Sequence, residues 1–341
     1  MRNPSRHARP ATFVALAVLV LATASDAFGQ SRVADEGQAA AVARRPRGRP
    51  PRTPSPRTRR SYRPGEVVAL SIFANGEEED WTPLRLSTLF TDGWDEPWLA
   101  PPADSDMPVR QGWVNSADGL FFRNLVGVYQ NTEGLPARQD ANLGLFQFQS
   151  PLSRRLWISI NVPFVTTLSD DGGPYKAAAF GDFSLTPRVM LKETRRFSLI
   201  AGLGVQTPTG SLSTGGGLAR LNPNVQFWTD IGRRFSARGG IGVDVPLNQF
   251  EVLPTNLATN IAVGQTVTGH DVLLIGDFQY YLSANLRNNL GSGPGHAFFS
   301  LTPGFRTHLG GEYFLAGGYE IPLTGPQPYG NRLTFFFVKG F

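Results

Sequence analysis

From about residue 119 to residue 341, apolar and polar residues alternate with a period of two along one segment after another. Successive side chains of a β-strand point to opposite faces, so each segment predicts a strand with one apolar and one polar face. Phe197, Leu199, Ala201 and Leu203 show the pattern, because they would share one face of a single strand. The repeated pattern restricts this region to a sheet with one apolar and one polar side.

The length and spacing of these segments indicate the kind of sheet. They run for about ten to fourteen residues, longer than most strands of soluble sheets. Short connections, such as 193–195 and 309–312, alternate with longer ones, such as 169–178, 208–217 and 285–295, as in outer-membrane barrels with periplasmic turns. Eleven segments are clear, and a weaker twelfth around 256–263 supplies the even number that brings both chain ends to the periplasm. We therefore predict an all-β fold, a transmembrane antiparallel up-and-down β-barrel of about 12 strands, or about 10 as the fallback.

The amino-terminal residues have the layout of a secretory signal peptide. Arg2, Arg6 and Arg9 precede an apolar stretch at 13–22, which is too short to span a membrane as a permanent helix. Small residues at the end of this region predict removal of residues 1–29 and export to the bacterial outer membrane. The chain contains no cysteine, which excludes a lipoprotein anchor, disulfides and thiolate metal sites.

Residues 30–64 form an Arg/Pro-rich tail, whose densest part begins at Arg44 and ends at Pro64. The stretch 31–63 contains ten arginines against two acidic residues, so the basic net charge of +5 does not belong to the remainder, which is mildly acidic. This composition predicts a disordered linker, which is either simply solvated or bound to anionic peptidoglycan. Nucleic acid is not expected as a partner of an exported chain.

Residues 65–118 form a Trp-rich irregular segment without a persistent period. It holds four of the six tryptophans, Trp81, Trp94, Trp98 and Trp113, among acidic and Pro-rich pieces. Aromatic side chains need a surface to pack against, so the segment is interpreted either as a plug in the lumen or as a structure at the periplasmic rim. The predicted barrel then comprises residues 119–341.

The last predicted strand ends on an aromatic residue. Phe335, Phe337 and Phe341 share one face with Leu333 and Lys339. A strand that finishes in this way resembles the closing strand of outer-membrane barrels, whose end is recognised by the barrel-assembly machinery. We expect the three phenylalanines to face outer-membrane lipid, to act as the closure and assembly signal, and to pair this strand with the first one.

The polar faces of the predicted strands supply the candidate lumen. The candidate lumen-lining residues are Asp182, Arg188, Asn222, Asn224, Gln226, Arg238, Asp244, Asp277, Gln279, Arg306 and Glu320. They mix both charges without a ring of one sign, so we expect weak selectivity between anions and cations. The alternative is that the charges pair across a closed lumen and rigidify it.

The sequence offers no convincing catalytic or metal-binding group. His270, His296 and His308 lack metal-ligand spacing, and we interpret them as exposed turn histidines. The serine within 291–295 lies between glycines in a loop, without the strand-to-helix elbow of serine hydrolases. No catalytic, cofactor-binding or metal-binding residue is predicted, and no enzyme activity is expected.

Short motifs add a family resemblance. Gly-Asp at 181–182, where one strand starts, and Pro-Thr-Gly at 208–210, where the next one ends, resemble an outer-membrane family named for a phenol-degradation meta-pathway. Gly-Asp at 276–277 is a weaker echo, and the resemblance covers about 160–341. It implies a transporter-like barrel that passes small hydrophobic or aromatic compounds. We therefore expect a passive outer-membrane channel, the alternative being a closed structural barrel anchored to the cell wall by its basic tail.

Overall fold

The structure, a computed structural model, consists almost entirely of β-strands. It describes residues 107–135, 138–170, 175–194, 196–212, 216–249, 253–291, 297–325 and 327–341, together with residues 87, 89 and 90. The predicted signal peptide, the Arg/Pro-rich tail and most of the Trp-rich segment lie outside the described residues. Within them, no helix is long and apolar enough to cross a membrane.

Thirteen strands follow one another along the described chain. They are β1 (Asn124–Leu135), β2 (Gln139–Pro151), β3 (Leu156–Asp170), β4 (Tyr175–Ala179), β5 (Ser184–Thr194), β6 (Phe197–Gln206), β7 (Arg220–Gly232), β8 (Phe235–Pro246), β9 (Asn256–Thr266), β10 (Gly276–Asn289), β11 (Ala297–Gly310), β12 (Tyr313–Thr324) and β13 (Asn331–Gly340).

Twelve of these strands form one closed antiparallel barrel, as predicted. Sequential strands pair in order, and β1 pairs with both β2 and β13, which joins the two ends of the sheet. The strand β4 is an addition, because it pairs with the far part of β3 while β5 pairs with the near part. We call the end of the barrel where β1 begins and β13 ends the terminal end, and the opposite one the loop end.

Two connections differ from the sequence prediction. Val272 and Leu274 continue the period-two pattern but lie in the turn before β10, where Leu274 has a φ of 66°. Conversely, the region predicted as a loop after Ser169 contains β4. Periodicity in a short apolar run does not distinguish a strand from a turn, and β4 forms because the edge of β3 is available for pairing.

The barrel is apolar outside and polar inside. On the outer surface Ile261 is 55% exposed, whereas Ser283 on the neighbouring strand is fully buried. Such an inside-out arrangement suits a wall that contacts lipid, where each strand can show an apolar side to the membrane and a polar side to the lumen.

The carboxy-terminal strand closes the barrel against the first strand. Asn124 lies opposite Gly340, and the Phe341 amide donates to the Arg123 carbonyl over 3.3 Å. Phe341 is 52% exposed, while Val338, on the other face of β13, is buried. The expected pairing of the last strand with the first is therefore present, and recognition by the assembly machinery stays a prediction.

Candidate functional site: the plugged lumen

Residues 107–122, which we call the plug segment, run inside the barrel. The Val109 amide donates to the Thr266 hydroxyl (3.3 Å) at the terminal end of β9. Further along, the Ala117 amide donates to the Asn260 side chain (2.8 Å) in the middle of the same strand. The segment therefore enters at the terminal end and reaches mid-height.

The tip of the plug segment is Asn115, whose φ of 51° turns the chain back. Its side-chain amide donates to Thr302 Oγ1 (2.7 Å), and its carbonyl accepts from the Ser283 hydroxyl (2.7 Å). On the return path the Phe122 carbonyl accepts from Trp157 Nε1 (2.7 Å), which lies near the terminal end of β3. The segment is thus a loop across the lumen that leads directly into β1.

A tryptophan is the main anchor of this loop. The Trp113 indole stacks on the Tyr281 ring, with centroids 4.6 Å apart and planes 3° apart, and the Arg238 guanidinium carbon lies 3.6 Å from its ring centroid. Its Nε1 donates to Gln279 Oε1 over 2.6 Å. Nearby, Gly318 leaves room for the segment, since a Cβ there would lie 3.0 Å from Val114 Cγ1. The packing resembles the core of a soluble domain placed inside a barrel.

Charge reinforces this packing. The Asp118 carboxylate of the plug segment pairs with Arg238 over 3.6 Å, and Arg188 and Arg306 also act on it electrostatically. The wall therefore contributes three cations around one acid of the segment. Breaking such a buried pair is costly, because it leaves an uncompensated charge. Without Asp118, this part of the lumen would carry a positive charge on three strands.

Two cavities of about 220 Å³ each lie between the tip and the loop end. Both reach Asn115, Glu320 and Arg332. The residues that give the first cavity its amide character are Asn115, Asn222, Asn224, Gln226, Asn260 and Asn285. Aromatic rings border both spaces, with Phe298 at the first and Phe336 at the second. The combination offers hydrogen bonds beside flat apolar surfaces.

Most of the predicted lumen-lining residues lie on the inner wall, and four of the eleven line the cavities. Beside the plug segment, the cavities or other side chains of the inner wall lie Arg188, Asn222, Asn224, Gln226, Arg238, Asp244, Gln279, Arg306 and Glu320. Asp182 and Asp277 are separate, because they lie beyond the lumen proper at opposite ends of the barrel.

Asp182 holds the long loop between β6 and β7 at the loop end. Its carboxylate accepts from the amides of Gly210 (2.7 Å), Gly217 (2.8 Å) and Leu218 (2.9 Å) and from the Gln206 side chain (2.9 Å). Partial burial alone would raise the pKa of Asp182, but these hydrogen bonds outweigh it and hold the pKa below its usual value. The Gly-Asp motif at 181–182 and the Pro-Thr-Gly motif at 208–210 are thus joined by hydrogen bonds.

Of the two histidines in the described part of the chain, His270 is an exposed turn residue as predicted, and His308 differs from the prediction. His308 is buried in β11 rather than exposed in a turn, and it stacks on His270 with ring centroids 4.4 Å apart. His270 lies in the turn before β10, with Nδ1 2.6 Å from Asp277 Oδ2. Strand pairing brings them together, because Gly276 lies opposite His308. His296 lies outside the described residues.

Sequence reasoning missed two inward-facing tryptophans. Trp157 and Trp228 are buried in the lumen, where Arg188 lies over the first ring at 4.6 Å and Arg110 over the second at 4.4 Å. A signal was present, because Trp157 shares the polar phase of its strand with Ser159. An aromatic residue at a polar-face position therefore marks a place where something packs inside.

A closed twelve-strand antiparallel barrel with an apolar outer surface, a polar lumen and an internal plug segment defines an outer-membrane-type β-barrel. The chain belongs to the family described as "Putative MetA-pathway of phenol degradation", which matches residues 128–315. No curated protein matches its sequence.

Several solved structures are similar to this chain. An outer-membrane channel from Pseudomonas putida F1 is similar at a TM-score of 0.52 and 12% identity, over 68% of this chain and 100% of that one. The KdgM porin has a TM-score of 0.43 and 9% identity, over 64% and 99% of the two chains. The NanC porin has a TM-score of 0.43 and 8% identity, over 64% and 98%. At these identities the similarity to the channel concerns the fold.

Proposed function

We propose that this protein is a passive, non-catalytic channel of the bacterial outer membrane for small molecules. In this proposal the terminal end faces the periplasm and the plug segment controls passage. The preferred solutes are small aromatic molecules that carry polar substituents. The role is consistent with the family description and with an outer surface suited to lipid.

The observation that carries the proposal is the chemistry of the space beyond the plug tip. The first cavity offers the amides of Asn222, Asn224 and Asn260 beside the Phe298 ring. Amide groups can donate to and accept from a hydroxyl, while a ring face packs against another ring. A phenol-like solute therefore finds partners for both of its parts, whereas a purely aliphatic one would form no hydrogen bond with the amides.

The plug segment accounts for control of passage. It crosses the terminal half of the lumen and ends at the cavities, so a solute that reaches Asn115 meets the segment before the periplasm. The contacts around Trp113 are numerous but noncovalent, and the segment can leave without unfolding any barrel strand. Passage then depends on the fraction of time that the segment is displaced.

Conductance and solute uptake test the proposal. The mature protein is compared in planar bilayers with a variant that lacks 107–122, and with a control that lacks an equal length of the basic tail, 44–59. We expect small or infrequent openings for the mature protein and the control, and a large steady conductance for the first variant. In liposome-swelling assays, phenol-like solutes should enter faster than aliphatic solutes of equal size. Absence of conductance in all three proteins would refute the channel.

A second candidate function is a structural barrel anchored to the cell wall. The observation that favours it is the same plug segment, because a permanently seated segment would close the lumen. The anchor would be the tail from Arg44 to Pro64, which lies outside the described residues. Peptidoglycan sedimentation should then retain the mature protein and lose a variant lacking 44–64, and equal retention of both would exclude the anchor.

A further inference from the structure

Three side chains that the channel does not use meet at the terminal end of the barrel. They are His270 in the turn before β10, Asp277 at the start of β10 and His308 near the end of β11. One ligand-capable atom from each lies within 4.8 Å of the others. His270 and Asp277 are seven residues apart along the chain, and the pairing of β10 with β11 brings His308 to them.

The neighbours of His308 indicate which of its ring nitrogens would bind a cation. Its Nε2 lies 2.7 Å from the Gly311 carbonyl, which can only accept, so Nε2 carries a proton. In the neutral ring Nδ1 then presents a lone pair, and its neighbour at 3.4 Å is another acceptor, the His270 carbonyl. A histidine that donates one N–H to a backbone carbonyl and directs its other nitrogen at a cation is the usual arrangement of a metal ligand.

Asp277 has an unusual backbone for its position. Its φ is 46°, and the register between β10 and β11 shifts between Gly276 and Gln279. A positive φ at a residue other than glycine is costly and is often retained where a side chain must be directed to a site. Here it turns the carboxylate toward His270, and the side chain of Asp277 is only 7% exposed.

Two imidazoles and one carboxylate select the type of ion. Zinc and related transition metals bind nitrogen together with oxygen, whereas calcium and magnesium prefer oxygen ligands throughout. In a tetrahedral site, ligand atoms about 2.0–2.2 Å from the ion lie about 3.4 Å from one another. The three ligand atoms here lie within 4.8 Å of one another, so the most distant pair has to approach by up to about 1.4 Å. The His270 side chain can supply this movement, because it is 63% exposed and belongs to a turn rather than to a strand.

We propose that His270, Asp277 and His308 bind a divalent transition-metal ion of the zinc type at the terminal end of the barrel. Water would complete the coordination of the ion, and the ion would link the β9–β10 turn to β11. The same wall receives the plug segment, since Thr266 and Gln279 both bind the backbone of Val109. Metal binding therefore fixes the wall where the segment enters.

Metal binding is tested on the mature protein, purified in detergent without a polyhistidine tag. Titration calorimetry with zinc chloride should give one site per barrel. The absorption spectrum with cobalt chloride should show the visible bands of Co²⁺ bound to nitrogen and oxygen in a site of low symmetry. Absence of both signals would refute the site.

Three substitutions and one control assign the ligands. His270→Gln, Asp277→Asn and His308→Gln should each weaken zinc binding by about tenfold or more, and His296→Gln should leave it unchanged. Heat-modifiable migration on gels checks that every variant is a folded barrel. His270→Gln is decisive because its exposed ring is the least needed for folding. Unchanged affinity in that folded variant would refute the proposal, whatever the conductance measurements show.

Discussion

The two halves of the lumen handle a polar interior differently. In the terminal half, wall residues are covered by the plug segment, and Trp113 is packed between Arg238 and Tyr281. In the loop half, polar side chains bind one another, as Asn224 does with Asn222 over 3.1 Å, and cavities remain beside them. The terminal half is packed like a protein core, whereas the loop half keeps polar cavities like those of a binding site. One barrel wall thus supports both a removable core and a permanent space.

The comparison teaches that the charge of the wall depends on the plug segment. Arg188, Arg238 and Arg306 surround Asp118, so the seated segment partly neutralises them. At the loop half, Arg220 is already paired within the wall, with Asp244 at 2.5 Å. Removing the segment should therefore change the electrostatics of one half and not of the other.

The largest expected effect is on ion selectivity. A barrel lacking 107–122 should prefer anions, because Arg188, Arg238 and Arg306 lose their only carboxylate from the segment. Reversal potentials in a salt gradient measure the preference. Arg238→Gln in that background should reduce it more than Arg220→Gln, which removes a cation already paired in the wall. Equal reductions would mean that the two halves do not differ in charge.

The next effect concerns the anchor. Trp113→Ala should lower the free energy that holds the plug segment in the lumen by about 3–5 kcal/mol, because it removes a large buried ring together with its stacking contact and its hydrogen bond. The displaced fraction then rises by on the order of a hundredfold or more, and so should the opening frequency in bilayers. Trp113→Phe keeps a ring without the Nε1 donor and should give an intermediate value. Identical gating of all three proteins would show that the segment is not the gate.

A smaller effect concerns the space that glycines leave in the two halves of the lumen. Gly318→Ala places a methyl group 3.0 Å from Val114 Cγ1 of the plug segment, and we expect a cost to seating of about 1–3 kcal/mol. Gly204→Ala is the matched change in the loop half, where the Cβ would lie 3.2 Å from Asn222. Opening frequency should rise for the first variant alone. A rise in both would indicate a general distortion of the barrel.

The smallest effect lies at the loop end. Because the pKa of Asp182 is lower in the folded protein, its carboxylate stabilises the β6–β7 loop at pH values above the ordinary aspartate pKa of about 3.9. This stabilisation is lost as the pH falls through the lower pKa of the folded protein. Pepsin should therefore cut the loop progressively faster below about pH 4. Asp182→Asn should expose the loop to protease at neutral pH without changing gating. Asp140→Asn is the control, because this carboxylate accepts from one backbone amide, that of Gly134, and the Asn oxygen can still accept from it.

Much of the fold followed from local pattern. The period of two, the long segments and the weak strand that begins at Asn256 predicted twelve barrel strands, which the structure confirms. Polar-face positions such as Asn224 and Arg238 were identifiable because strand geometry alone decides their side of the wall. Turn residues such as Leu274 could not be told from strand residues, because the alternation of apolar and polar residues continues beyond the hydrogen-bonded part of the strand.

The sequence by itself determined a membrane-type barrel, since alternating side chains leave only two faces and only one of them tolerates lipid. The tertiary structure decided what fills that barrel. Trp113 meets Gln279 across 166 residues of chain, and His270 meets His308 through the pairing of β10 with β11. Such contacts depend on strand register and closure, which are properties of the whole sheet and are not encoded in any single segment.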